Sequence, residues 1–257
     1  METRHALVRQ PSSRLGDGLI THIERSEVDT GLARRQWQAY VDALHAAGWT
    51  TTEVAAADEL PDAVFVEDTM VVYGDLAVIA RPGADERRGE TDAAEAAVRA
   101  RGYRVARIEA PGTLDGGDVL KHGGTVWVGL GGRTNQAGVD QLAAYLEPYG
   151  AHVVGVPVQK VLHLKSAVTA LPDGTVIGFP PLVDDQEVWP SFLAVPEEAG
   201  SHVVLLGDDV VLMSTSAPVS RALLEERGLR VVAVDLTEYE KLEGCVTCLS
   251  VRLRHTP

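Results

Sequence analysis

One pattern recurs along this chain at intervals near fifty residues: two short apolar strands around a tight turn, then a helix, then a further strand. Strands over 69–73 and 76–80 flank Gly74-Asp75, followed by a helix over 91–101 and a strand over 103–108. A second unit places strands at 118–121 and 125–130 around His122-Gly123-Gly124. Its helix carries Val139, Leu142, Ala143 and Leu146, and its last strand covers 151–156. The third has a hairpin over 167–171 and 175–179 around Pro172-Asp173-Gly174, with the weakest helix of the set. The fourth runs through a hairpin at 202–213, a helix at 217–227 and a strand at 229–234. A fifth unit needs both termini. Strand 250–253 meets strand 5–9, a helix presents Trp37, Tyr40, Val41 and Leu44, and a strand covers 51–56.

Such a repeat favours a radial arrangement, and pairing the last strand with the first closes the ring and removes its exposed edge. An ordinary open α/β domain with hairpins is the alternative that periodicity leaves standing. The polar groups favour the ring. Glu67-Asp68, Asp115 to Asp118, His163 and Cys248 each stand just before a unit's first hairpin, positions that converge on the centre of a closed ring.

The 257 residues suit one domain over 1–257, with no linker-like division; the acidic, proline-containing stretch 183–200 reads as a long connection. A net charge of −14 argues against a nucleic-acid binder and mildly favours a cationic ligand. The amino terminus lacks a signal peptide's apolar core and no apolar run spans a bilayer. Two cysteines make no disulfide framework. The expectation is a cytoplasmic protein with reduced thiols and no membrane partner. The sequence is compatible with a homodimer.

Cys248 is the candidate nucleophile, since a thiolate attacks electrophilic carbon and a nearby cation or imidazolium lowers its pKa. An inert buried thiol is the plain alternative. Cys245-Val246-Thr247-Cys248 also has redox or metal spacing, but the chain continues as strand and no second Cys/His pair completes a zinc site. His163 lies in the apolar run 160–165, where an idle imidazole is costly. Asp115-Gly116-Gly117-Asp118 offers a carboxylate on a glycine-supported turn. Adjacent Glu67 and Asp68, directly after apolar residues, need partners such as a planar cation. Arg87 and Arg133 fall in glycine-containing connections suited to clamping a carboxylate. Thr134 or Asn135 caps the next helix, and Gly16 to Leu19 reads equally as a mobile segment that folds over a ligand or as a plain surface loop.

In this order, Asp17-Gly18-Leu19, Phe65-Val66-Glu67-Asp68, Arg87-Arg88-Gly89-Glu90, Leu114 to Asp118, Arg133-Thr134-Asn135, Lys160 to Lys165 and Cys248-Leu249-Ser250 closely resemble the dimethylarginine dimethylaminohydrolases, over nearly the whole chain. The resemblance implies a five-bladed α/β propeller of ββαβ modules with pseudo-five-fold symmetry, the pentein fold. It implies hydrolysis of a methylated arginine to citrulline without metal or cofactor. Cys248 is then the nucleophile, His163 the general acid/base and Asp115 its orienting carboxylate, where some members carry Glu. Asp68 and Glu67 hold the guanidinium beside Phe65, and Asp62 adds polar contacts. Arg87 and Arg133 bind the α-carboxylate, Leu19 belongs to a lid, and Leu242 secures the amino-acid end. Arginine deiminases and amidinotransferases, the same-architecture alternatives, typically place Asp two residues after the catalytic His. Here that position is Lys165, a departure that favours methylarginine.

Overall fold

In the computed structural model, which describes residues 4–255, the recurring unit is a three-stranded sheet, and there are five of them. The strands are β1 (His5–Val8), β2 (Thr50–Glu53), β3 (Met70–Tyr73), β4 (Leu76–Ile79), β5 (Arg104–Arg107), β6 (Val119–His122), β7 (Thr125–Leu130), β8 (His152–Pro157), β9 (Val168–Ala170), β10 (Val176–Gly178), β11 (Phe192–Ala194), β12 (Val204–Leu205), β13 (Val210–Ser214), β14 (Arg230–Val234) and β15 (Val251–Leu253). The sheets read β15-β1-β2, β3-β4-β5, β6-β7-β8, β9-β10-β11 and β12-β13-β14. In each, the first pair is antiparallel and the second parallel, the mark of a hairpin followed by a crossover. The chain is a five-bladed α/β propeller.

The termini share one blade: β15 pairs with β1, His5 opposite Leu253, and helix α1 (Thr30–Ala46) returns the chain to β2. Crossover helices α2 (Thr91–Ala100), α3 (Gln136–Leu146) and α5 (Pro218–Glu226) serve three other blades. Asp29 caps α1 by accepting from Leu32 N, and Asn135 caps α3 by accepting from Gly138 N at 2.9 Å. The third blade departs from the expected unit. A 3-10 turn (Pro180–Leu182) and irregular chain replace its helix, and the stretch expected to be only a connection contains β11. Paired prolines and an acidic run deprive that crossover of helical periodicity. Two short helices, α4 (Leu164–Ala167) and α6 (Thr237–Glu240), precede β9 and the Cys245–Cys248 turn.

The apolar core is divided among five clusters, each between neighbouring blades. Leu7, Ile79 and Leu253 belong to one; Val78 joins Leu142, Leu120 joins Val176, Leu171 joins Val211, and Leu212 joins Tyr40 in the others. Each blade therefore buries its apolar faces against its neighbours in the ring. The first strands β3, β6, β9, β12 and β15 face the axis, where all five contribute to one cavity. Among the described residues, no helix is long and apolar enough to cross a membrane.

Candidate active site

The polar groups singled out in the sequence lie where the chain enters these inner strands. Glu67 and Asp68 stand on a 3-10 turn (Val66–Thr69) leading into β3, and Asp115 precedes the turn into β6. His163 sits immediately before α4, which leads to β9, and Cys248 lies in the turn before β15. Four blades therefore deliver them to one end of the axis. Leu19, Asp62, Phe65, Asp68, Arg87, Arg133, His163, Leu242 and Cys248 line a single pocket, with Leu162, Glu243 and Gly244.

Two glycines make this approach feasible. A Cβ on Gly116 would fall 2.0 Å from the Glu67 carbonyl oxygen, and one on Gly117 would fall 2.6 Å from both Asp68 Oδ1 and His163 Nδ1. Without side chains there, the Gly117 N–H donates to Asp68 Oδ1 at 2.8 Å. His163 Nε2 lies 3.0 Å from Asp115 Oδ2, so the shorter Asp arm still reaches the imidazole, and its Nδ1 lies 3.8 Å from Asp68 Oδ1. Asp115 is fixed in turn by the Gly83 N–H at 3.0 Å, with Arg133 Nη1 3.5 Å from its other oxygen. Asp118 supports both partners from behind, accepting from Thr134 Oγ1 at 2.6 Å and from the Leu164 N–H at 3.0 Å. Thr134 thus braces Asp118 and accepts from Asp115 N, while Asn135 alone caps the helix.

The field follows from this packing. Burial lowers an imidazole, but the charge of Asp68, the Asp115 hydrogen bond and Asp118 outweigh it and raise His163 to about 9. Burial raises Asp68, yet the charges of His163 and Arg87, with hydrogen bonds from Arg87 and Gly117, hold it at about 2. At neutral pH the pair is an imidazolium beside a carboxylate. Asp68, Asp115 and His163 offer ligand atoms within 4.8 Å of one another, a spacing that also suits a bound cation. Cys248 Sγ lies 3.5 Å from Cys245 Sγ. That hydrogen bond, then burial and the charges of Cys245, Glu67 and Asp68, push the Cys248 thiol well above its usual value.

Two expected binding groups are engaged elsewhere. Glu67 does not line the pocket; its carboxylate turns to the opposite side, where Lys165 Nζ approaches within 2.6 Å and Arg252 donates to the same oxygen. Neighbouring residues on the 3-10 turn point apart, so only Asp68 faces Cys248. Arg87 is buried and donates to Asp68 at 2.7 Å, to both Glu90 oxygens at 2.9 and 2.7 Å, and to the Asp62 and Phe65 carbonyls. It braces Asp68 instead of projecting a free fork.

The mobile-looking segment is latched over the site. Asp62 accepts from the Leu19 N–H at 3.0 Å, and Arg25 donates to the Gly16 and Gly18 carbonyls. Glu243 accepts from Thr21 N, Thr21 Oγ1 and His22 N. The remaining free space, about 10 Å³, is of the order of one water. Glu243, in the left-handed region at φ 58°, is a residue the sequence reading missed; the Glu243-Gly244 turn pair just before Cys245 was its one visible signal.

Known proteins resemble this chain in sequence and fold. The arginine deiminase family model matches residues 36–198. The chain is 62% identical over 254 residues to the N(G),N(G)-dimethylarginine dimethylaminohydrolase of Streptomyces coelicolor, covering 99% of this chain and 98% of that protein. The chain belongs to the dimethylarginine dimethylaminohydrolase family. It is 35% identical to the family member from Pseudomonas aeruginosa, over 97% of this chain and 99% of that one. A crystal structure of a Cys-to-Ser variant of the Pseudomonas aeruginosa protein, complexed with citrulline, matches with a TM-score of 0.91 at 34% identity, covering 98% of this chain and all of that one. The N-terminal domain of a cyanobacterial arginine dihydrolase, 22% identical with a TM-score of 0.88, covers 98% of both chains and shares the fold.

Proposed function

We propose that this protein hydrolyses N-omega-methylated arginines, asymmetric dimethylarginine and monomethylarginine, to citrulline and dimethylamine or methylamine. The observation that carries this reading is the near-full-length identity to a dimethylarginine dimethylaminohydrolase, together with a thiol, an imidazole and a carboxylate lining one pocket. In this reading 1–257 acts as one catalytic unit.

The substrate's guanidinium pairs with Asp68, whose oxygens retain acceptor capacity beyond Arg87 and Gly117. Arg133, lightly engaged at 3.5 Å, takes the α-carboxylate, while Arg87 holds Asp68 in place and adds its charge. Asp62 and the lid residue Leu19 close over the amino-acid end, and Phe65 and Leu242 pack along the substrate's stem. The arriving cation weakens the Cys248 thiol's hold on its proton, which passes to solvent, and the resulting thiolate attacks the central guanidinium carbon. The His163 imidazolium, held by Asp115, gives its proton to the departing amine, leaving an S-alkylthiouronium on Cys248. Neutral His163 then takes a proton from water, whose attack releases citrulline and restores the thiolate.

The engagement of Glu67 supports methylated over unmethylated arginine. With that carboxylate held by Lys165 and Arg252, Asp68 is the guanidinium acceptor in the pocket, and a dimethylated nitrogen brings no N–H to satisfy a second. An unpaired buried acceptor there costs about 1–3 kcal/mol. The test is incubation with asymmetric dimethylarginine, assaying citrulline and dimethylamine, with Cys248→Ser and His163→Ala in parallel. Normal turnover by Cys248→Ser, or ammonia as the released amine, contradicts the reading.

A further inference from the structure

The reaction assigned to the pocket uses Cys248 and leaves Cys245 without a chemical task. Both thiols are free and buried in the turn between α6 and β15. The Cys248 N–H donates to the Cys245 carbonyl at 3.1 Å, which closes a tight turn with one cysteine at each end. Residues at the ends of such a turn have Cα atoms less than about 7 Å apart, and a disulfide spans about 4.4–6.8 Å. The side chains converge as the backbone does, with the sulfurs 3.5 Å apart. Closing that gap to the roughly 2.05 Å of an S–S bond is within reach of side-chain rotation on this turn. Among the described residues, no His, Asp or Glu joins the two sulfurs at metal-ligand spacing, so the pair presents a dithiol and not a metal site.

The two sulfurs differ in access and in charge. Cys248 lines the pocket, while Cys245 packs in the apolar cluster with Tyr40 and Leu249. The hydrogen bond from Cys248 outweighs burial and lowers the Cys245 thiol, and the same bond raises Cys248. The pair therefore shares one proton between a pocket-facing sulfur and a sulfur behind it. In such an arrangement the accessible sulfur is oxidised first and its neighbour resolves it.

We propose that Cys245 and Cys248 are a modification site at which a hydroperoxide forms a reversible disulfide, masking the nucleophile. Cys248 attacks as the thiolate once the shared proton passes to Cys245. An S–O bond forms, the O–O bond breaks, and the departing hydroxide or alkoxide takes a proton from solvent. Cys245 then attacks Cys248 Sγ: the S–S bond forms, the S–O bond breaks, and the departing hydroxide takes the Cys245 proton. The sulfur pair loses two electrons and the peroxide gains them. A thiol reductant reverses the bond by exchange.

The loss of activity rests on the methylarginine reading, whereas the bond itself does not. The full chain, first reduced and then exposed to hydrogen peroxide, is alkylated and mapped by mass spectrometry, with citrulline formation assayed in parallel. A disulfide between Cys245 and Cys248 should replace both alkylatable thiols, citrulline formation should fall at least about tenfold, and dithiothreitol should restore both. Cys245→Ala lacks the resolving sulfur, so its Cys248 should go on to the sulfinic acid and dithiothreitol should return less than about a tenth of its activity. A disulfide that forms in a chain making no citrulline even when reduced supports the modification site and contradicts the methylarginine reading. Two thiols that persist under peroxide, a Cys248 sulfinic acid beside a free Cys245, or recovery of Cys245→Ala equal to that of the wild type overturns the proposal.

Discussion

Replacing Asp115 by Asn removes a charge while preserving shape. In the wild type, Asp115 Oδ2 lies 3.0 Å from His163 Nε2, and Oδ1 accepts the Gly83 N–H at 3.0 Å. The variant's amide oxygen keeps the Gly83 bond, so its NH₂ group turns toward His163. An NH₂ facing Nε2 requires that nitrogen to accept, which favours neutral imidazole over imidazolium. A hydrogen bond to a charged group contributes about 1.5–3 kcal/mol, and a pKa unit corresponds to 1.36 kcal/mol, so His163 should fall by roughly one to two units. From about 9 it reaches roughly 7–8, still above the ordinary value because Asp68 and Asp118 retain their charges.

The assay is the pH dependence of kcat/KM for citrulline formation, with His163 titrated in parallel by NMR. The alkaline limb, where the free enzyme loses its general acid, should move down by those one to two units. At pH 7, where His163 remains at least half protonated, loss of the acid form should lower the rate no more than about twofold, and the deficit should grow about tenfold per pH unit above the new limb. An unmoved alkaline limb, even with reduced activity, refutes the argument that Asp115 sets the proton affinity of His163.

The raised His163 also links folding to pH: its stabilisation is full below about 6.5 and lost as pH rises through about 9. Urea unfolding of the wild type should therefore weaken across that window, and His163→Gln should flatten the slope. Glu243→Gln should loosen the latch, speeding amide exchange at Thr21 and His22 by roughly tenfold, as loss of about 1.4 kcal/mol of charge-assisted bonding implies. Cys245→Ala removes the largest cause raising the Cys248 thiol, so the pH midpoint of Cys248 alkylation should move down while citrulline formation persists; an unchanged midpoint sinks the assignment.

The ring was legible because its information is local and repeated. Hairpins announce themselves through apolar strands around Gly74-Asp75, His122-Gly123-Gly124 and Pro172-Asp173-Gly174, and closure follows from strands left unpaired at both ends. The third crossover was illegible for the complementary reason: β11 is three residues long and sits in an acidic, proline-containing stretch without periodicity. Site chemistry was readable where polar residues interrupt apolar runs, as with Asp68, Asp115, His163 and Cys248. Direction was not. Glu67 and Asp68 are adjacent in sequence, yet the 3-10 turn sends one carboxylate to Cys248's pocket and the other to the axial cavity. Leu162, Glu243 and Gly244 enter the pocket through non-repetitive turns, where sequence pattern carries no facing information.

That divergence at Glu67 organises the axis electrically. Asp62, Asp68 and Glu243 line the Cys248 end, with Asp115 behind His163, and a cationic head group enters there. Lys121 and Arg254 line the other end. Between them, Lys165, Glu67 and Arg252 form a floor whose charges are largely satisfied within the protein, and Arg252 also donates to the Thr247 and Ser250 carbonyls flanking Cys248. The Glu67 N–H donates to the Cys248 carbonyl at 3.1 Å, tying the floor directly to the nucleophile's backbone. An Asp at position 165 would reverse this partition: Glu67 would lose its 2.6 Å partner, and a new carboxylate would stand beside it. Like charges buried together raise one another's pKa or recruit a cation. In the proposed reading, Lys165 therefore acts at a distance from the reacting carbon: by pairing with Glu67 on the far side, it leaves Asp68 as the acceptor that meets the guanidinium.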